Sequence, residues 1–155
     1  GECSDINSCS IGIELANDGF SPFPAAQMDI TEELVGAVME RWNIRPARVI
    51  GHSDLAPGRK RDPGPRFDWQ RLARRGLTVW PQIKGETPLS DAQTEEFLHH
   101  AAIFGYAPTA APDAVLSAFR QRFRPWATGT LGQNDVALIR DLATRFPVDR
   151  TALNA

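Results

Sequence analysis

An imidazole and a carboxylate ten positions apart are the most chemically suggestive residues in this chain. They are His52 and Asp62, within the run GHSDLAPGRKRDPGP at residues 51–65. Pro57, Pro63 and Pro65 stiffen that run, which also holds Gly58 and Gly64, and proline lowers the entropy a ligand-bearing loop loses on ordering. A histidine and an aspartate brought together by such a loop suit a mixed nitrogen–oxygen site for zinc, which in catalytic centres takes three protein ligands and leaves one position open. Lys60 stands two residues before Asp62, where an ammonium can stabilise an oxyanion. Glu14, earlier in the chain, is a candidate to accept a proton from an attacking water. The same residues also read as a Pro/Gly-rich surface loop with a satisfied histidine and solvated charges.

The elements that must position these groups follow from periodicity. Residues 10–16 alternate, with Ile11, Ile13 and Leu15 on one side and Glu14 on the other, which predicts a strand. Pro22 and Pro24 mark a turn, and residues 25–42 turn helical, with Met28, Val35, Val38, Met39 and Trp42 on one stripe. Residues 48–51 predict a short buried strand with His52 at its exit. A helix over 68–75 is stopped by Gly76. Three further helices are expected: one opened by a Ser90–Gln93 capping box and stopped by Gly105, one from Pro112 to before Pro125, and one capped by Asn134 and ended by Pro147.

The chain has 155 residues, 42% apolar and 23% charged, enough for one domain or a little more with a real core. Its 17 basic and 19 acidic residues leave a net charge of −2, without the basic excess that non-specific nucleic-acid binding needs. No run approaches the roughly 18 apolar residues of a membrane span. Two cysteines exclude a disulfide-rich scaffold and a four-cysteine zinc site; Cys3 and Cys9 are read either as a local disulfide or as independent thiols.

The string at 51–65 closely resembles the signature of the zinc-dependent N-acetylmuramoyl-L-alanine amidases of the amidase-2 family, which also includes the peptidoglycan recognition proteins. SIGIELAN at 10–17 resembles that family's central strand, and Gln27 and FDW at 67–69 fit as well. The resemblance implies an α/β fold: the later part of a mixed sheet with flanking helices over residues 1–80, a linker at 81–88, and a small three-helix, peptidoglycan-binding-like module at 89–150. That module, with GY at 105–106 and AFRQRFRP at 118–125, resembles the one found in the family's envelope branch. Residue by residue, the resemblance implies His52 and Asp62 as zinc ligands, Glu14 as acid/base and Lys60 as stabiliser of the tetrahedral intermediate. The implied reaction is zinc-dependent hydrolysis of the amide between N-acetylmuramic or anhydromuramic acid and L-alanine. Its substrate is peptidoglycan or a muropeptide, in the periplasm or cell envelope, with outer-membrane association of the full-length form.

The family's third ligand is a histidine on an earlier strand, and this chain has histidines only at 52, 99 and 100. The expectation is therefore an amidase that begins after its first zinc ligand, with an N-terminal polypeptide segment completing the fold. The alternative is a non-catalytic muropeptide-binding protein. Asp54 is expected either to orient the His52 ring or to cap the loop. Arg120, Arg122 and Arg124 alternate along a helix and are expected to be mostly solvated. The four tryptophans, at 42, 69, 80 and 126, are expected in the core or at an interface.

Overall fold

The longest element, α1 (Ala25–Trp42), starts where Pro24 ends an extended approach: the Met28 amide donates to the Pro24 carbonyl at 3.0 Å. It stops at Asn43, which adopts the left-handed conformation (φ 51°) while the Ile44 amide donates back to the Met39 carbonyl. In the computed structural model, residues 6–82 and 93–148 are described. They contain five more helices: the short turn α2 (His52–Leu55), α3 (Trp69–Arg74), α4 (Gln93–Phe104), α5 (Pro112–Phe123) and α6 (Gln133–Arg145). Asp68 caps α3 by accepting from the Arg71 amide at 2.9 Å, and Gly76 (φ 73°) follows its end. Pro112 opens α5 at the position where a missing amide hydrogen costs nothing.

The expected α/β fold is corrected here. Among the described residues every regular element is helical and no strand forms, neither at 10–16 nor at 48–51. Alternation makes a strand only when a neighbouring segment supplies the other half of the hydrogen-bond ladder. Residues 10–18 run without one, and Ile11 and Ile13, expected to be buried, are 47% and 36% exposed. Residues 46–48 form a short 3-10 turn instead, and Ile50 after it is also exposed. The linker residues 83–88, the Ser90 capping box and the Cys3 partner of Cys9 lie outside the described residues.

Two apolar clusters hold the chain. The larger joins α4, α5 and α6 through Phe97, Phe119, Phe123, Ile139 and Leu142, with Val79 from the segment after α3. The smaller gathers Met28, Phe67, Trp69 and Leu72, with the Phe67 and Trp69 rings edge-on at 4.8 Å. Trp80 packs against both clusters. Just before His52, Ala47 packs against the larger cluster and Val49 against the smaller. Trp42 and Trp126, expected in the core or at an interface, are exposed.

Candidate active site

The site loop is built around α2. Gly51 precedes it, and its own amide donates to the Asp54 carboxylate at 3.0 Å. The Leu55 and Ala56 amides close the turn onto the Gly51 and His52 carbonyls. The chain then makes a further turn at Gly58 (φ 79°) and returns so that the Ser53 amide donates to the Asp62 carbonyl at 2.9 Å. Gly51 is itself buried. A methyl group there would meet Pro63 at 3.0 Å and the Trp69 ring at 3.2 Å, so the loop closes on its own start without room for a side chain.

This closure brings His52 and Asp62 together. Nδ1 of His52 lies 2.9 Å from Oδ2 of Asp62, and both side chains are open to solvent, at 45% and 63% exposure. A nitrogen and a carboxylate oxygen so juxtaposed match the donor chemistry of zinc. Among the described residues no group of three or more histidine, cysteine, aspartate or glutamate side chains is assembled. Lys60 is exposed on the same loop, its backbone amide donating to the Ala56 carbonyl. Glu14 is exposed on the extended segment at 10–18. Among the described residues no hydrogen bond or ion pair brings Glu14 or Lys60 to the His52–Asp62 pair. Gln27 fastens the Glu14 segment to α1 by donating to the Ala16 carbonyl at 2.9 Å.

Beneath the exposed pair lies a buried polar network that sequence reasoning missed. The Asp54 side chain points inward, away from the His52 ring. It accepts from the Tyr106 hydroxyl at 2.7 Å and from Arg122 Nη1 at 2.7 Å, besides the Gly51 amide. Arg122, only 1% exposed, also donates from Nη2 to the Val49 carbonyl and to the Thr78 hydroxyl, both at 2.9 Å, and its guanidinium sits over the Trp69 ring. Burial first, and the Asp54 charge next, push the Tyr106 hydroxyl well above its ordinary range, so it remains a donor. The missed signal was positional: Arg122 follows Val115 by seven residues and Phe119 by three, on the apolar stripe of α5.

Arg120 and Arg124, two residues to either side, serve a second carboxylate. Both donate to the fully buried Asp135, which in turn accepts from the Gly132 amide at the start of α6. Alternation along α5 thus sends arginines to two different helix starts rather than into solvent.

Residues 1–65 match the Amidase_2 family, N-acetylmuramoyl-L-alanine amidase. The chain is 37% identical over 141 residues to the N-acetylmuramoyl-L-alanine amidase AmiD of Escherichia coli, covering 77% of this chain and 51% of that protein. It is 42% identical over 71 residues to the 1,6-anhydro-N-acetylmuramyl-L-alanine amidase AmpD of Haemophilus influenzae, covering 45% of this chain and 37% of the relative. Among solved structures, E. coli AmiD in complex with anhydro-N-acetylmuramic acid-L-Ala-D-gamma-Glu-L-Lys superposes with a TM-score of 0.72 at 33% identity, over 81% of this chain and 54% of that one. AMPDH3 from Pseudomonas aeruginosa, in complex with an anhydromuramic pentapeptide, does so with a TM-score of 0.67 at 26% identity, over 83% and 56%. The chain spans about half the length of the E. coli relative and of both solved structures.

Proposed function

We propose that the chain, whose residues 1–65 match the N-acetylmuramoyl-L-alanine amidase family, cleaves muropeptides. The bond is the amide joining N-acetylmuramic acid, or its anhydro form, to L-alanine of the stem peptide. The setting is cell-wall turnover or recycling in the periplasm or envelope. In the same reading residues 1–80 form the catalytic part and 89–150 a peptidoglycan-binding-like unit. The observation that carries the proposal is the 2.9 Å approach of His52 and Asp62 in a loop locked by its own backbone. The muropeptide complexes of the two similar structures support the choice of substrate. No helix among the described residues is long and apolar enough to cross a membrane.

His52 and Asp62 would hold zinc, contributing one nitrogen and one oxygen donor. When bound there, zinc supplies Lewis acidity toward the scissile carbonyl. Glu14 takes a proton from the attacking water and returns it to the leaving amine of L-alanine, so the C–N bond breaks with the proton balance closed. The Lys60 ammonium offsets the charge that builds on the carbonyl oxygen. Both roles rest on the match of these residues to the family's motifs.

The test is release of stem peptide. His52→Ala and Asp62→Ala should each lose zinc and reduce release by at least about 100-fold, in the range expected when a key group is removed. Glu14→Gln should keep zinc and lose turnover. Undiminished release by either ligand variant removes that residue from the site. The gathering of only two ligand-type side chains among the described residues favours a second reading, a muropeptide-binding protein that does not cut. In that case the wild-type protein binds the muropeptide and leaves it intact.

A further inference from the structure

We propose that Arg122 and Tyr106, on and beside the helices of the second half, are positioning residues for the His52–Asp62 pair. They act by clamping Asp54, the residue that fixes the turn from which His52 projects. The inference rests on the reading of that pair as the working site, and it adds two residues from outside the matched segment at 1–65.

The clamp grips the site loop at both ends. Tyr106 holds Oδ1 of Asp54 and Arg122 holds Oδ2, while Arg122 reaches back to the Val49 carbonyl three residues before His52. Thr78 closes the loop of contacts by donating to the same Val49 carbonyl at 3.0 Å. Asp54 passes the constraint to the backbone through the Gly51 amide, and the Ser53 amide passes it to the Asp62 carbonyl. A shift of Asp54 therefore moves the backbone on either side of His52 and the backbone of Asp62 together. His52 and Asp62 are themselves exposed, so surrounding side chains do little to fix them; the turn beneath them must.

The chemistry of the clamp argues for position over stability. Burying an arginine and an aspartate costs desolvation that their attraction does not reliably return, and apolar replacements are often as stable. Here the pair is almost wholly enclosed, and Arg122 Nε is left without a partner among the described residues. An arrangement that leaves Nε unused while aiming Nη1 at Asp54 and Nη2 at Val49 and Thr78 is suited to fixing geometry. Metal-site ligands whose supporting hydrogen bonds are removed typically lose about 10- to 100-fold in affinity.

The experiment uses the full chain and reads the His52 imidazole by 1H–15N NMR in metal-free protein, then zinc affinity by chelator competition and stem-peptide release. Tyr106→Phe and Arg122→Met are compared with Ile139→Val, which loosens the same helical core without touching Asp54. Arg122→Lys tests rescue by a retained charge. The expected result is a displaced His52 signal and about 10-fold or greater loss of zinc affinity in Tyr106→Phe and Arg122→Met. Ile139→Val should keep wild-type values, and Arg122→Lys should fall between. A His52 signal unchanged in folded Tyr106→Phe, or moved equally by Ile139→Val, overturns the proposal. If Arg122→Met does not fold, Tyr106→Phe decides. If the wild-type protein binds no zinc and releases no peptide, the amidase reading fails, and the His52 signals still decide the clamp on their own.

Discussion

Asp135 shows what one carboxylate does at the meeting of two helices. Burial alone would raise its pKa, but hydrogen bonds from Arg120, the Gly132 amide and Arg124 outweigh burial and hold it below the usual carboxylate range. Because the folded value lies below the unfolded one, its contribution to stability is complete above the ordinary carboxylate range. It is lost as pH falls through the folded value. Urea unfolding followed from pH 7 downward should therefore weaken below about pH 4. Asp135→Asn should remove that part of the slope and cost about 3 kcal/mol or more at neutral pH, since two arginines lose their buried partner. An Asp135→Asn protein with wild-type stability at pH 7 would show that the arginines are paired elsewhere.

At the scale of elements, local signals carried the helices and failed on the strands. The 3.6-residue stripe, Pro112 and the stops at Asn43, Gly76 and Gly105 are all local, and α1, α3 and α5 lie where those signals put them. A strand is defined by a distant partner, so the alternation at 10–16 was legible and its pairing was not. The juxtaposition of His52 with Asp62 was readable because the loop is stiff and both ends lie within eleven residues. The clamp beneath it was not, because Arg122 and Tyr106 lie 68 and 52 residues from Asp54. Gly51 offers a test of how tightly that loop closes. Its φ is an ordinary −85°, so alanine there carries no backbone strain, only collision with Pro63 and Trp69. Gly51→Ala should lower stability by about 1–3 kcal/mol, the usual cost of overpacking. Gly12→Ala, which meets nothing within 4 Å, should leave the denaturant midpoint unchanged.

For the molecule as a whole, the two apolar clusters share Trp80, and the Arg122–Asp54 clamp joins helix α5 to the site loop. Coupling of this kind predicts one cooperative unfolding transition, with far-UV circular dichroism and tryptophan fluorescence coinciding. Two separated transitions would mean that the helical half does not support the loop. The apolar side chains of Ile11, Ile13, Phe20, Ile30, Leu34 and Ile50 remain exposed on the half that carries the site. That half is held by the small cluster of Met28, Phe67, Trp69 and Leu72 and by the clamp. On the proposed reading, the helical half is a structural condition for the chemistry of His52 and Asp62.

The most direct measurement is mass spectrometry of an anhydromuramyl tetrapeptide incubated with the zinc-loaded chain. The expected result is a free peptide beginning with L-alanine, released by the wild-type protein and lost in His52→Ala. Muropeptide that binds the wild-type protein yet is recovered whole would contradict it.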